Sequence, residues 1–437
     1  MFAVPWLLMA GTLLSPQQAA DEVQTFTLEN DMKVLVMEDH SIPNAVTYFF
    51  WKVGSRNEVP GITGLSHFFE HMMFNGAKKY GPKEFDRVME AAGGANNAYT
   101  SKDVTVYTDF FPSSALETIF DLEADRIGHL AFDEEMIESE RGVVHSEYTT
   151  GMENSNFRFL DTYLTAVAMI AHPYRWPVIG WESDILSWKK SDLESYFATY
   201  YAPNNGVLVV VGDVELEEVK RLAKAYLEPI PAHEPPREVH TVEPEQKGEK
   251  RLVVHKQVTS PNVMMAYHVP ETGSEDYYPL VILDSILSEG NSSRLYQALV
   301  DEGQQATMVF TYLPRAFDPT LFYFYAVCSH GVSAEELEQG MLQVVDRIVE
   351  EGVTERELQK AKNMRLMELY RNMETLKDKA NSLGTYELFF GDYRKLFEAP
   401  AAFEQVTAAD VQRVAAKYLT ANNRTVGYLL PPEEEGE

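Results

Sequence analysis

Two histidines and a glutamate stand close together in the apolar stretch GLSHFFEHMMF, residues 64–74. At 100° per residue, one face of a helix over this stretch is wholly apolar and carries Leu65, Phe68, Phe69, Met72 and Met73. His67, Glu70 and His71 fall on the opposite face. The spacing therefore predicts a helix that packs its apolar face on a core and presents a polar stripe.

The polar stripe has the composition of a metal site. Two histidines at positions i and i+4 place both imidazoles within reach of one ion, a spacing found on zinc-binding helices. Glu70 lies between His67 and His71, where a general base can take a proton from a water molecule activated by the metal. The pattern predicts metal-dependent hydrolysis, with a solvated helix face that carries two histidines by accident as the alternative.

A catalytic zinc site needs a third protein ligand. The predicted helix over residues 133–150 offers Glu140, His145 and Glu147. Glu140 and Glu147 are seven residues apart, which is two helical turns, so they share one face. Spacing alone leaves His145 and Glu147 as alternative third ligands.

Strand and helix patterns alternate around these residues. Period-2 and apolar runs predict strands in TFTLEN, MKVLVMED, AVTYFFWKVG and NNAYTSKDVTVYTDFF, the last as a pair. Helical periodicity is found over residues 63–76, 82–92, 113–129, 133–150 and 156–171. Strands mixed with helix pairs predict an α+β fold.

The two halves of the chain resemble each other. Residues 191–213 align with residues 409–431 at an offset of 218, and the identical pairs are Asp192/Asp410, Tyr200/Tyr418, Asn204/Asn422 and Asn205/Asn423. Residues 229–250 contain five prolines among charged residues, which indicates a linker. We therefore predict a duplicated chain, with a zinc-binding catalytic domain at 21–228 and a domain without the metal motif at 251–437.

The chain is strongly acidic, with a net charge of −30 and a pI near 4.7. This charge argues against nucleic acid binding, because phosphates require basic surfaces. The field would favour basic partners or substrates, although acidity for solubility explains it equally well. The single cysteine, Cys328, excludes an internal disulfide and is expected to be a small buried hydrophobic residue.

The first 20 residues, MFAVPWLLMAGTLLSPQQAA, are uncharged, apolar up to Leu14, and end in two alanines. This pattern predicts a secretory signal peptide cleaved near Ala20, and hence a periplasmic or secreted protein. An uncleaved N-terminal membrane anchor is the alternative, although Pro5 and Pro16 make a poor span. No later segment of the sequence is long and apolar enough to cross a bilayer, so no membrane span is expected in the mature chain.

The motif H-x-x-E-H, followed about 75 residues later by a glutamate with another glutamate seven residues before it, resembles the pitrilysin/insulysin family of inverted-motif zinc peptidases. The matching motifs cover nearly the whole mature chain: GITGLSHFFEHMMFNG, then Gly93, Gly94, Asn97, Ala98 and Thr100, ESERGVVHSE at 138–147, HPY at 172–174, YYAPNNGVLVVVGDV at 200–214 and SSRLYQAL at 292–299. The resemblance is to the short two-domain type, such as the zinc-bearing subunit of heterodimeric bacterial members and the beta subunit of mitochondrial processing peptidase. It implies two homologous α+β domains, each a mixed, mainly antiparallel sheet flanked by helices, joined by a linker.

The resemblance also implies roles for individual residues. His67, His71 and Glu147 become the ligands of one Zn²⁺ per chain. Glu70 becomes the general base, and Glu140 a carboxylate that supports the ligands. The implied activity is that of a zinc metalloendopeptidase, of EC 3.4.24 type, that hydrolyses peptides or unfolded segments in a closed chamber.

Two further consequences follow from the resemblance. His145 reverts to a structural or surface residue. The substrate-binding edge strand of the family corresponds here to Asn97, Ala98, Tyr99 and Thr100. An extended peptide would pair with this strand as an added strand. The backbone hydrogen bonds would supply affinity that does not depend on the sequence of the peptide.

The second half departs from the family pattern. Active members follow the SRL helix with an arginine and, seven residues later, a tyrosine, which hold the substrate backbone. Aligned on Arg294, those positions carry Val300 and Thr307, unless Arg294 and Tyr296 act instead. The departure favours a heterodimer with a homologous partner that lacks the metal motif, with a homodimer as the alternative. A non-catalytic core subunit that retains the metal site is the alternative to an enzyme.

Overall fold

The computed structural model of the protein describes residues 20–432, so the predicted signal peptide lies, except for Ala20, outside the described residues. The first half contains the strands β1 Val23–Thr27, β2 Lys33–Glu38, β3 Asn44–Trp51, β4 Ala95–Thr100, β5 Thr105–Pro112 and β6 Gly206–Gly212. They form one sheet in the order β1-β2-β6-β3-β5-β4. All neighbours are antiparallel except β2 and β6.

The helices of the first half connect and cover this sheet. They are α1 Leu65–Met72, α2 Glu84–Ala91, α3 Leu116–His129, α4 Glu134–Asn154, α5 Asn156–Ala168, α6 Glu182–Ile185, α7 Lys190–Tyr200 and α8 Leu216–Leu222, which continues as a π-helical turn at Ala223–Leu227. The apolar residues of α1 share one buried core with residues of the sheet. The helix that carries the histidines is therefore anchored on the sheet.

The second half contains the strands β7 Lys250–His255, β8 Asn262–Val269, β9 Ala306–Tyr312, β10 Thr320–Cys328 and β11 Arg424–Leu430, in the order β7-β11-β8-β10-β9. Its helices are α9 Tyr277–Ser288, α10 Ala334–Glu351, α11 Glu355–Arg371, α12 Leu376–Phe389, α13 Lys395–Gln405 and α14 Ala408–Tyr418, with a π-helical turn at Tyr296–Glu302. Cys328 is fully buried, as the sequence predicts.

The second sheet repeats the first without β1. Strands β7, β11, β8, β10 and β9 take the places of β2, β6, β3, β5 and β4, and the single parallel pair recurs. Helix α7 and β6 recur as α14 and β11 at the predicted offset of 218. Nδ2 of Asn205 donates to the carbonyl of Tyr200 at 2.8 Å, and Nδ2 of Asn423 donates to that of Tyr418 at 2.7 Å. The predicted duplicated α+β fold is confirmed.

One helix of each half packs on the sheet of the other half. Helix α5 packs on the second sheet, while α12 packs on β3 and β6 of the first. A Cβ added at Gly384 would lie 2.0 Å from the ring of Phe50, and one added at Gly427 would lie 3.0 Å from Leu164. These close approaches join the two halves through buried apolar contacts.

The proline-rich segment between the halves has no helix or strand over residues 231–249 of the described chain, yet it is bound on both sides. The backbone N–H groups of residues 170–172 donate to the carboxylate of Glu243 at 2.8 to 2.9 Å. Nε2 of Gln246 donates to the carbonyl of Arg424 at 2.7 Å. The segment predicted as a linker is thus fastened along the surface, while the domain limits at 21–228 and 251–437 stay predictions.

Candidate metal centre

Helix α1 begins at a tightly constrained turn. Gly64, its N-cap, has a φ of 90°, and an added Cβ would lie 2.3 Å from the carbonyl oxygen of Ile179, so the position requires glycine. The carboxylate of Glu58 accepts hydrogen bonds from the backbone N–H groups of Gly64 and Ser66, at 2.7 and 2.8 Å. A buried carboxylate therefore caps the helix and fixes where its first turn lies.

The apolar face of α1 is buried among aromatic rings. The ring of Phe68 lies 4.9 Å from that of Trp188, and the ring of Phe69 stacks on Tyr196 at 5.9 Å, measured between centroids. Phe68 and Phe69 are fully buried. Because this face is held on all sides, the opposite face of α1 has one orientation relative to the sheet.

Three potential ligand atoms converge on that opposite face. The ring centroids of His67 and His71 are 4.9 Å apart. Nε2 of His67 lies 3.5 Å, and Nε2 of His71 lies 3.6 Å, from Oε2 of Glu147 on α4. The three ligand atoms lie within 4.8 Å of one another, and within residues 20–432 this is the one such group of three or more. The structure therefore brings together the three residues that the resemblance names as ligands.

Glu140, two turns before Glu147 on α4, contacts the other nitrogen of His71. Its Oε1 lies 2.8 Å from Nδ1 of His71, and its Oε2 accepts a hydrogen bond from Nδ2 of Asn75 at 2.7 Å. When Nδ1 of the neutral ring donates to Glu140, Nε2 carries no proton and is free to bind a metal. Nδ1 of His67, in contrast, is buried and has no hydrogen-bond partner in the described part of the chain.

His145 points away from the convergent group. Its Nε2 lies 2.8 Å from Oε1 of Glu182, the first residue of α6. Spacing left His145 and Glu147 as alternatives, and in the folded chain Glu147 is the one of the two that faces both histidines of α1.

Glu70 joins the convergent group to the edge of the first sheet. Its Oε2 accepts a 2.6 Å hydrogen bond from Oγ1 of Thr100, the last residue of β4. Burial raises the pKa of the Glu70 carboxyl, and the hydrogen bond from Thr100 opposes part of that rise. A carboxyl whose pKa lies nearer to neutrality is suited to accept and release a proton.

Strand β4 is an edge strand. Of the described strands it pairs with β5 alone, so one row of its backbone N–H and C=O groups faces away from the sheet. The predicted substrate-binding residues Asn97, Ala98, Tyr99 and Thr100 all lie in it, each at least partly exposed. Oη of Tyr99 donates to Oδ1 of Asn381 on α12 at 3.0 Å, so the strand is braced from the second half.

The electrostatics of the group favour a cation. Burial lowers the pKa of His67 to about 4. Burial also lowers the pKa of His71, but its hydrogen bonds to Glu140 and Glu147 outweigh burial and raise that pKa to about 9. The contact with His71 holds the pKa values of Glu140 and Glu147 below their usual range. Two ionised carboxylates thus face a neutral imidazole and one that carries a proton at neutral pH, and a divalent cation would take the place of that proton.

The donor set fits zinc. Two imidazole nitrogens and one carboxylate oxygen are the ligands of His₂Glu hydrolytic sites, which keep a fourth position for water or substrate. Both Nε2 atoms face the same oxygen of Glu147, so one ion can reach all three. The orienting hydrogen bond from His71 to Glu140 is also typical of metal-binding histidines.

Sequence reasoning missed several residues that support this group. Asn75 bonds Glu140, Glu58 caps α1, and Nη1 of Arg158 lies 3.8 Å from Oε1 of Glu147. Asn75 could have been found, because it follows His71 by four residues within the stretch 63–76 predicted as a helix, although α1 itself ends at Met72. Glu58 and Arg158 carry no such signal, because their contacts depend on how separate segments pack.

Two family models match consecutive parts of the chain. Residues 33–180 match the family described as Insulinase (Peptidase family M16), and residues 187–365 match the one described as Peptidase M16 inactive domain. The first region contains all five residues of the candidate site: His67, Glu70, His71, Glu140 and Glu147.

Similarity to individual proteins extends over both halves. The zinc protease PqqE of Helicobacter pylori is 30% identical, over 97% of this chain and 96% of its own. The mitochondrial-processing peptidase subunit beta of Lentinula edodes is 25% identical, over 90% of this chain and 86% of its own. The crystal structure of a protease from Helicobacter pylori superposes with a TM-score of 0.90 at 30% identity, covering 94% of this chain and 99% of that one.

Proposed function

This chain belongs to the insulinase family of peptidases, family M16, and we propose that it is a zinc-dependent endopeptidase acting on peptides or unfolded polypeptide segments. The observation that carries the proposal is the convergence of His67, His71 and Glu147 within 4.8 Å of one another, next to Glu70 and the open edge of β4. A metal site alone could be structural. A metal site beside a carboxylate that bonds an open strand edge is suited to peptide hydrolysis.

His67, His71 and Glu147 are the proposed ligands of one Zn²⁺. When bound, zinc supplies Lewis-acid chemistry that polarises a carbonyl and favours attack by water at neutral pH. Glu140 and Asn75 hold the imidazole of His71 so that Nε2 points at the ion. Relatives named as zinc proteases support zinc as the metal.

Glu70 is the proposed general base. It takes a proton from the attacking water and delivers it to the leaving amine. The 2.6 Å hydrogen bond from Thr100 keeps its carboxylate at the end of β4, beside the place where the scissile bond of a strand-added peptide would lie. The raised pKa of Glu70 makes its protonation during the reaction less costly.

The substrate is proposed to lie along β4 as an added strand. Backbone groups of Asn97, Ala98, Tyr99 and Thr100 would bond its main chain, which gives affinity without demanding a sequence. In a folded protein most extended segments are already paired within sheets, so the edge strand favours peptides and unfolded segments.

A second subunit is proposed to complete the site and close a chamber. Arg294 is held by Glu357 at 2.6 Å and donates to the carbonyl of Gly352 at 3.0 Å, so it is engaged inside its own half. Val300 has no donor to offer a substrate. We therefore place the missing arginine and tyrosine on a homologous partner without the metal motif, with a second copy of this chain as the alternative.

Export to a periplasm or out of the cell is part of the proposal. It is supported by the signal-peptide pattern of residues 1–20, which falls outside the described structure except for Ala20. No helix within residues 20–432 is long and apolar enough to span a membrane. Sequencing the N-terminus of the protein recovered from a bacterial periplasm would test the cleavage near Ala20.

The decisive experiment measures metal content and hydrolysis together. We expect the purified chain to contain about one zinc per chain, and to cleave a quenched fluorogenic peptide once its partner is present. A chelator should abolish cleavage and added Zn²⁺ should restore it. A zinc-loaded chain that cleaves nothing alone, as a dimer or with its partner would contradict the proposal and favour a non-catalytic subunit.

A further inference from the structure

A cavity of about 610 Å³ lies between the two halves of the chain. One edge strand of each sheet reaches it, with Tyr99 and Ser101 coming from the end of β4 and Tyr312 from the end of β9. Helices α9, α11 and α12 form much of the remaining wall. Thr100, between Tyr99 and Ser101, is bonded to Glu70. Because side chains alternate along a strand, Tyr99 and Ser101 point to the face of the sheet opposite Thr100 and Glu70. The cavity therefore begins at the same end of β4 as the proposed general base, but on the other face of the sheet.

Four charged side chains line this cavity in the part of the chain that the structure describes: Asp284, Arg315, Arg365 and Glu368. Three of them form one ion-pair cluster around Arg365. Nη2 of Arg365 donates to Oδ2 of Asp284, and its Nη1 donates to Oε2 of Glu368, both at 2.9 Å. Arg365 also lies 3.4 Å from the carboxylate of Glu289. The acidic groups at the wall are thus already engaged by one arginine.

Arg315, the fourth charged side chain of the wall, lies outside this ion-pair cluster. No described carboxylate lies within ion-pair distance of Arg315, although the charge of Glu368 acts on it at longer range, and the phenols of Tyr277 and Tyr386 line the same wall. Its charge also reaches Tyr99 and Tyr312 on the two edge strands. Its side chain remains exposed towards the cavity. A guanidinium set among phenol groups in a concave wall, with the local carboxylates occupied, is built to receive an anion.

We propose that Arg315 is a specificity-determining residue that binds a carboxylate of the peptide substrate. The inference rests on the proposed peptidase function, because it places the peptide along β4. The planar fork of the guanidinium matches a carboxylate with two parallel hydrogen bonds. The phenols of Tyr277 and Tyr386 are further donors at the same wall.

The overall charge of the chain makes this residue necessary for acidic substrates. A net charge of −30 repels a carboxylate approaching the cleft. Arg315 supplies a positive charge within the cleft that opposes this repulsion locally. The carboxylate is either an Asp or Glu side chain or the free C-terminus of the peptide. Tyr99 and Ser101, on either side of Thr100, line the same cavity as Arg315, and the side chains of an added strand alternate between the two faces of the sheet. The recognised group is therefore expected within a few residues of the scissile bond.

The test measures binding, so it does not depend on turnover. Fluorescent peptides would be titrated by anisotropy against the zinc-loaded, full-length Glu70→Gln variant, in which bound peptide is not consumed. One series carries a single Glu at successive positions and its Gln counterpart at each, and a second compares a free with an amidated C-terminus. Both series are measured with the Glu70→Gln protein itself and with this protein carrying in addition Arg315→Ala, Arg315→Lys or Arg347→Ala. Arg347 is exposed on α10 and donates only within its own helix, so it is the matched control.

We expect a Glu at one position, or the free C-terminus, to bind roughly 10- to 100-fold more tightly than its neutral counterpart. Arg315→Ala should remove this preference and leave neutral peptides unaffected, Arg315→Lys should restore part of it, and Arg347→Ala should change nothing. Peptides that bind equally with and without a carboxylate, or a preference that survives Arg315→Ala, would overturn the inference alone. The titrations are made with and without the homologous partner subunit, and if no peptide binds any variant in its presence, the inference and the proposed function both fail.

Discussion

Oε1 of Glu140 lies 2.8 Å from Nδ1 of His71, a contact between residues 69 positions apart in the sequence. It determines which nitrogen of His71 faces Glu147, because an imidazole that donates through Nδ1 presents Nε2 to the other side. Nε2 of His71 indeed lies 3.6 Å from Oε2 of Glu147. A carboxylate outside the candidate ligand group can thus determine which nitrogen of His71 faces that group.

Replacing Glu140 by Gln should weaken zinc binding roughly 10- to 100-fold, because loss of the carboxylate charge lowers the basicity of His71 and frees its ring. Competition with a chelating dye measures the affinity. The matched control is Glu153→Gln, an exposed position on the same helix, which should bind zinc like the unchanged chain. Equal affinities for the two variants would show that Glu140 does not support the metal site.

Glu147→Gln should strip zinc from the protein, while His145→Ala should leave the zinc content unchanged. Glu147 faces both histidines of α1, whereas His145 is engaged by Glu182 at 2.8 Å. Metal analysis after dialysis against buffer without zinc distinguishes the two variants. Zinc lost from His145→Ala and retained by Glu147→Gln would reverse the assignment of the third ligand.

The Glu70→Gln variant should keep its zinc, and its rate of peptide hydrolysis should fall by a factor of about 10² to 10⁴, because an amide cannot accept the proton of the attacking water. Initial rates on a fluorogenic peptide, with metal content measured on the same sample, provide the check. Glu90→Gln, at an exposed position on the neighbouring helix α2, is the control and should retain full rate. Near-normal turnover by pure Glu70→Gln would exclude Glu70 as the general base.

The chain purified alone should bind zinc yet cleave peptides poorly. The positions aligned with the family arginine and tyrosine carry Val300 and Thr307, and Arg294 is occupied by Glu357. Addition of a homologous subunit encoded nearby should raise the rate, and light scattering should show a one-to-one complex. Full activity of the isolated chain, as a monomer or as a homodimer, would rule out the heterodimer.

Stability should fall with acid through Asp276. Burial raises the pKa of this carboxyl, but hydrogen bonds from Lys417, Tyr418 and Arg413 outweigh burial and hold the pKa at about 2. Because the folded pKa is depressed, the unfolded chain binds the proton more readily, so the stabilisation is complete above about pH 4 and is lost as the pH falls towards 2. With Arg413 and Lys417 half-exposed, we expect about 1–2 kcal/mol.

Chemical denaturation of the unchanged chain and of Asp276→Asn, at pH values between 5 and 2.5, would measure this contribution. The variant should be less stable at pH 5, and the difference should shrink as the pH falls. A difference that stays constant over this range would show that the stabilisation does not come from the ionised carboxylate.

The sequence by itself determined whatever depends on local geometry. A repeat of 3.6 residues per turn separates the apolar face of α1 from its polar stripe, and the same rule puts Glu140 and Glu147 on one face of α4. The duplication could also be predicted from the sequence, and the same offset of 218 aligns α7 and β6 with α14 and β11 in the folded chain. These features need only the chain within one element, or its comparison with itself.

Tertiary structure decided the contacts that join distant elements. Spacing left His145 and Glu147 as alternatives, and the packing of α4 against α1 places Glu147 opposite the histidines. The exchange of α5 and α12 between the two sheets and the unpaired cation of Arg315 in the cleft have no local signature. The physical reason is that such contacts depend on the summed packing of many buried side chains, which fixes how whole helices and sheets are oriented, whereas the pattern of one segment specifies only which of its faces is buried.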